Sequence, residues 1–265
     1  MKRVAIVTGA STGIGRACAT ALARTGFQVF GASRRARQSK RGLVQGLTLD
    51  VRDDTSVACC IDTVLSTAGR IDVLVNNAGV ATVGALEETT FDEFKNVIDT
   101  NLLGTVRMMR AVLPVMRKQH SGRIVNIGSV MAFLPMPYSS AYCASKHALR
   151  GLSESVDHEV RSFGIRVIDI EPGFIRTGIA GRSPVAKAIP EYECARRFPV
   201  REFRRRINQG TDPSVVARAV VEAVTVPRPE LRYLPDNFAR LIGLARTLVP
   251  SAFFDMGVRS YFRLD

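Results

Sequence analysis

Short apolar runs separated by stretches of helical periodicity recur along almost the whole chain, and this alternation limits the fold more than any other feature. The runs fall at residues 4–7, 28–32, 47–49, 73–75, 124–127, 167–170 and 231–234, and helical patterns fill most of the gaps. Strands joined by helices run parallel, and a parallel sheet is buried on both faces, so its strands read as continuous apolar segments. The pattern predicts an α/β protein with one doubly wound parallel sheet and helices on both faces. With 265 residues the chain can bury a sizeable core as one domain, residues 1–265, and no repeat or low-complexity linker divides it. Although 46% of the residues are hydrophobic, no apolar run reaches the roughly 18 residues of a membrane-spanning helix.

In such sheets ligands bind beyond the carboxyl ends of the strands. Gly9, Asn77, Ser129 and Pro172 each follow an expected strand and therefore converge on one rim. The first of these turns reads Thr8-Gly-Ala-Ser-Thr-Gly-Ile-Gly15 and leads into a helical pattern. Glycines let the backbone turn tightly and approach a pyrophosphate at a helix N-terminus, where free N–H groups and the dipole favour anions. The spacing Gly9, Gly13, Gly15 is not G-x-G-x-x-G, so a merely tight structural turn is the competing reading.

Farther along, Tyr142 and Lys146 stand one helical turn apart, and Ser129 lies thirteen residues before Tyr142 at the end of an apolar run. Side chains at i and i+4 share a helix face, so the ammonium is expected beside the phenol, favouring its phenolate. A tyrosine tuned in this way exchanges a proton with an alkoxide near neutral pH, and a serine hydroxyl can hold the same substrate oxygen.

Thr8 to Gly15, Asn76-Asn-Ala-Gly79, Asn101, Ser129, Tyr142-x-x-x-Lys146 and Pro172-Gly173 followed by Thr177 come in one order. Taken together over residues 2 to 235, they resemble the short-chain dehydrogenase/reductase family. The resemblance implies a Rossmann-like domain whose catalytic tetrad is Asn101, Ser129, Tyr142 and Lys146, with Asn101 anchoring a water relay behind Lys146. It implies cofactor contacts from Gly9, Ser11, Thr12, Gly13, Ile14 and Gly15, from Asp50 and Val51, and from Asn77, Ala78 and Gly79. Pro172, Gly173, Ile175 and Thr177 would hold the nicotinamide, and Lys146 its ribose beside Tyr142. Asp50 could instead cap the next helix, for which Asp53 is the better candidate. Residues 175–210 would form the variable substrate lid, and a homodimer or homotetramer would pair through helices near 97–117 and 141–163. Gly128-Ser-Val130, Tyr142-Cys-Ala-Ser-Lys146 and Pro227-Arg-Pro-Glu-Leu-Arg-Tyr233 look like the 17β-hydroxysteroid and retinol dehydrogenase branch. That likeness implies a lipophilic alcohol or ketone as substrate.

Charge bears on the cofactor. An acidic residue after the second strand marks a free ribose hydroxyl, but this chain has Ser33-Arg34-Arg35 there and nine Lys or Arg with no acid from Met1 to Leu49. A 2′-phosphate would meet an unopposed positive field, and arginine's planar fork suits phosphate. NADP(H) is therefore expected, with Ser33 and Arg34 as phosphate ligands and Arg35 and Arg37 as auxiliaries; solvated loop charges are the alternative.

Other residues carry less. His120, His147 and His158 suit structural or solvated roles, as does Cys143 beside the tyrosine. The five cysteines lack metal-ligand spacing, so no metal site is expected; reduced thiols and the absence of a secretory leader point to a cytoplasmic protein. A net charge of +13 and six arginines within 196–206 could serve nucleic acid, yet no nucleic-acid module is visible, and a solvated face or an anionic lipid surface fits better. In the amphipathic extension 236–265, Phe238, Leu241, Ile242, Ala245, Leu248 and Val249 form a helical stripe. It either packs on the domain or a partner subunit and roofs the pocket, or attaches to a membrane with Phe253, Phe254 and Phe262 as anchors. A catalytically idle NADP(H) sensor and a basic nucleic-acid-binding protein remain as rivals to the enzyme.

Overall fold

A computed structural model describes residues 2–35, 42–179 and 185–264. Arg37 and residues 180–184 of the expected lid lie outside them. Seven strands form one parallel sheet: β1 (Val4–Thr8), β2 (Gln28–Ser33), β3 (Val44–Thr48), β4 (Val73–Asn76), β5 (Gly122–Ile127), β6 (Ile165–Ile170) and β7 (Arg232–Tyr233). Their order is β3-β2-β1-β4-β5-β6-β7, so the winding reverses between β1 and β4. β3 starts three residues before the expected run. Gln45 and Gly46 break its apolar pattern, yet the strand pairs with β2 from Val29↔Val44 to Ser33↔Thr48.

Strand alternation divides the core. Ala5, Val7, Val75, Val125, Ile168 and Ile170 face α1 (Gly13–Arg24) and α7 (Ser214–Thr225). Val4, Ile6, Leu74, Ile124 and Val167 face the opposite layer, built from α2 (Asp54–Ala68), α4 (Gly104–Gln119) and α5 (Ser140–Val160). Asp53 is the N-cap of α2, accepting from the Thr55 and Ser56 N–H groups. Between α3 (Phe91–Ile98) and α4 the helix widens into one π-helical turn, Asp99–Leu103, and Asn101 sits in it. Widened turns of this kind re-aim side chains.

A third cluster lies outside the sheet. It joins Met131, Phe133 and Leu134 after β5 to Phe203 and Ile207 of α6 (Pro190–Asn208) and to the C-terminal segment. That segment forms two helices, α8 (Asn237–Leu248) and α9 (Ser251–Phe262), broken at Pro250. Asp236 caps α8 through the Ala239 N–H. No helix among the described residues is long and apolar enough to cross a membrane.

Candidate active site

The reversal between β1 and β4 opens a cleft of about 790 Å³ at the carboxyl ends of the strands. Its floor is the first turn. Gly9 and Gly13 have φ of +65° and +54°, conformations that glycine adopts without strain. Asn77 Nδ2 ties the turn from the side, donating to the carbonyls of Thr8 at 2.9 Å and Gly9 at 3.3 Å. In return the Thr8 hydroxyl accepts from the N–H groups of Asn77 and Ala78. α1 begins directly above with no acid in its first turn, leaving its positive end uncompensated.

Most of the expected contacts line this one cleft: Gly9, Ser11, Thr12, Gly13 and Ile14; Ser33, Arg34 and Arg35; Asp50 and Val51; and Asn77, Ala78 and Gly79. So do Ser129, Tyr142, Lys146, Pro172, Gly173, Ile175 and Thr177. Gly15 and Asn101 do not line it. Gly15 packs beneath the turn against Gly9 and Asn77. Asn101 is buried behind the cleft, where Oδ1 accepts from Val80 N–H at 2.8 Å and Nδ2 donates to Val80 O at 2.9 Å and Ser145 Oγ at 3.0 Å. It thereby clamps the strand-4 loop to the helix that carries Tyr142.

At the far rim Arg34 is exposed and its charge helps hold the Asp50 carboxyl down, while the Ser33 hydroxyl donates to Arg35 O at 2.7 Å. Asp50 is already engaged: Arg52, which the sequence reading passed over, holds both its oxygens, at 3.1 and 2.7 Å. That arginine also pulls the Asp50 carboxyl down to about 2. Arg52 lines the cleft too, so the rim carries Arg34, Arg35 and Arg52 against a single carboxylate.

The expected lowering of the Tyr142 pKa is not found. Burial pushes the phenol up to about 12, with the Ser129 hydroxyl pulling it partly back. Lys146 Nζ is 5.6 Å from the tyrosine ring centroid and donates to Ile127 O at 2.7 Å. Spacing of i and i+4 makes the two neighbours, but desolvation of a buried phenolate outweighs an ammonium pointed at another acceptor. The same burial draws Lys146 below the ordinary lysine range, opposed by the charge of Asp169.

Beyond Tyr142 the wall turns apolar, with Met131, Phe174, Ile179, Phe203 and Ile207. Phe238 and Ile242 of α8 pack behind it, so the inner side of the C-terminal stripe roofs this end. The outer side is bare: Leu241, Leu244, Leu248, Phe253 and Met256 are each more than half exposed. Phe262 is buried and cannot serve as a membrane anchor.

Helix α6 is fastened to the body through Glu88, whose side chain is wholly buried. It accepts from the N–H groups of Ala85 and Ile189 at 2.8 and 2.9 Å and from Arg196 at 2.7 Å. Burial pushes this carboxyl up, but the three donors more than offset it. The crowded arginines are largely internal partners: Arg196 meets Glu88, Arg197 meets Glu193, and Arg205 and Arg206 meet Glu202. Cys143 is a buried packing thiol, and His147 is an exposed ring against the Cys143 carbonyl.

The comparisons agree with this geometry. Residues 3–187 match the family model described as short chain dehydrogenase. A 3-ketodihydrosphingosine reductase from Bacteroides thetaiotaomicron is 34% identical over 266 residues, covering 99% of this chain and 98% of that protein. Human 17-beta-hydroxysteroid dehydrogenase type 1 is 35% identical over 258 residues, covering 88% and 77%. A crystal structure of a short-chain dehydrogenase from Streptomyces avermitilis superposes with a TM-score of 0.86 at 34% identity, over 100% of this chain and 98% of that one. An alcohol dehydrogenase from Thermococcus sibiricus complexed with 5-hydroxy-NADP superposes with a TM-score of 0.73 at 28% identity, over 88% and 96%. The chain belongs to the short-chain dehydrogenase/reductase family, in the branch that includes 17β-hydroxysteroid dehydrogenase.

Proposed function

We propose that this protein is an NADP(H)-dependent oxidoreductase that reduces lipophilic ketones or aldehydes, or oxidises the matching alcohols. The observation that carries the reading is one cleft lined at one end by the glycine turn and three arginines, in its middle by Ser129, Tyr142 and Lys146, and at the other end by an apolar wall. Likeness to a 3-ketodihydrosphingosine reductase and to a steroid dehydrogenase supports a long-chain or steroid-like substrate.

The residues present fit a nicotinamide dinucleotide. Gly13 has a φ of +54° and a Cβ there would crowd Thr177 at 3.1 Å, so this position of the turn suits glycine, and its bare backbone leaves room for a phosphate. Arg34, exposed on the cleft rim, suits a 2′-phosphate as a planar fork. The cofactor, when bound, supplies or accepts the hydride. Ser129 would hold the substrate oxygen. Tyr142, whose pKa is raised to about 12, keeps its proton at neutral pH and so serves as the general acid that quenches a developing alkoxide. Lys146 holds the tyrosine's surroundings positive and would contact the nicotinamide ribose.

The exposed apolar face of α8 and α9 supports a second element of the reading, peripheral contact with an anionic membrane from which a greasy substrate enters. Residues 237–264 carry Arg240, Arg246, Arg259 and Arg263 against Asp255 alone. Two like faces of this kind would repel each other, whereas anionic lipid attracts them. The overall reading is tested by following NADPH absorbance with steroids, retinoids, 3-keto long-chain bases, and aliphatic ketones and aldehydes. Oxidation with a lipophilic class is expected, and no turnover with any carbonyl would overturn it.

A further inference from the structure

We infer that Asp169 is a positioning residue for Lys146, the buried counter-charge that holds its ammonium in place and charged. The inference rests on the proposed role of Lys146. Asp169 is 2% exposed on β6, in register with Asn126 and one step from Ile127, whose carbonyl accepts the Lys146 ammonium. Gly128 makes the approach possible. A Cβ there would stand 2.5 Å from Asp169 Oδ1, so the carboxylate lies across the chain next to the point where Nζ is bound.

Neither Asp169 oxygen accepts a hydrogen bond. The Gly128 N–H is near enough to ease its charge slightly but donates to Ile170 O at 2.8 Å. A buried carboxylate without donors persists only when an opposite charge answers it. Lys146, itself buried, is that charge. Arg150 on α5 also eases the Asp169 charge, but its Nε lies nearer Glu154, at 3.1 Å, and on β7 Arg232 Nε lies 3.2 Å from Glu171. Burial pushes both carboxyls up, that of Glu171, just past β6, to about 8, while the Lys146 charge holds Asp169 back, so Asp169 ionises first and is the anion that faces Lys146.

Burial raises the Asp169 pKa and lowers that of Lys146, and each charge opposes the shift of the other. The pair is therefore fully charged only between Asp169 protonation on the acid side and Lys146 deprotonation on the alkaline side. Replacing Asp169 removes the acid limit and brings the alkaline one lower.

Two measurements on the full chain test this. In thermal unfolding, the change in Tm caused by Asp169→Asn should differ between the parent and the Lys146→Met background; purely additive effects would overturn the pairing. In turnover, the alkaline limb of kcat should move down by at least about one pH unit in Asp169→Asn, with KM for the carbonyl substrate unchanged. A limb that stays in place would overturn the positioning role. Should Asp169→Asn not fold, Asp169→Glu keeps the charge but displaces it and must still move the limb; a limb that stays in place would overturn the positioning role. A parent protein that turns over none of the carbonyls with NADPH defeats the oxidoreductase reading, while the unfolding cycle still decides the pair.

Discussion

A Cβ on Gly15 would stand 2.4 Å from the Gly9 carbonyl oxygen and equally close to Asn77 Nδ2. No side chain fits there without moving the turn itself. Gly15→Ala should therefore fold but bind NADPH at least about tenfold more weakly, a loss of roughly 1.4 kcal/mol. Gly151→Ala is the control, because nothing lies within 4 Å of a Cβ at that position. Titration of nucleotide fluorescence compares them, and equal affinities would show that the turn does not cradle the cofactor.

Tyr142→Phe keeps the ring but removes the proton that the mechanism moves. NADPH binding should persist while kcat falls by about 10²–10⁴-fold. Turnover within a few fold of the parent would remove Tyr142 from the reaction. Lys146→Met should lose both turnover and cofactor affinity.

Arg34 is exposed on the cleft rim, with its charge felt by Asp50, so changing it should act mainly on the ligand. Arg34→Asp should weaken NADPH by about 1.5–3 kcal/mol, roughly 10- to 150-fold, and leave NADH little changed. Equal affinity of the parent for the two nucleotides would contradict the assignment.

Glu171 gives a pH dependence whose sign is set by its raised pKa. Its pKa rises from 4.5 to about 8 on folding, so at lower pH both states are protonated and nothing is lost. As pH climbs between those values the unfolded chain ionises first and folding stability drains away, levelling off above about 8. Glu171→Gln should therefore gain on the parent across that window, at roughly 2–4 °C of Tm per kcal/mol. A gap in Tm that stays constant with pH would refute the burial account.

Leu244→Glu and Phe253→Glu place charge on the bare outer face of the C-terminal helices. The parent should sediment with phosphatidylserine vesicles and not with phosphatidylcholine alone, and each variant should stay in solution with its Tm unchanged. A parent that ignores both vesicles would leave the helices as a roof only.

The sheet was readable because both faces of a parallel strand are buried, which makes each run apolar irrespective of its neighbours. β3 was misplaced where Gln45 and Gly46 interrupt that signal at the sheet's edge. The glycine turn and the Tyr142–Lys146 pair were legible as local spacings. The direction of the tyrosine's shift was not, because spacing shows who is adjacent and burial decides which effect prevails. Glu88, Arg52 and Asp169 were invisible for a related reason. Glu88 matters through Ile189 and Arg196, and Asp169 through a lysine on another element, whereas Arg52 was a short-range partner of Asp50 hidden among many surface arginines. Pro250, which separates the two C-terminal helices, is a stop signal that the reading of 236–265 as one extension passed over.

The three donors gathered on Glu88 bear on how α6 is held. Swinging α6 outward would strip Arg196 and the Ile189 N–H from a carboxylate whose side chain is wholly buried. Losing only one of these contacts leaves a charge half-answered in the interior, so partial opening is the least favourable position. Helix α6 is therefore held at its start by an all-or-none fastening, because the carboxylate of Glu88 needs both contacts at once.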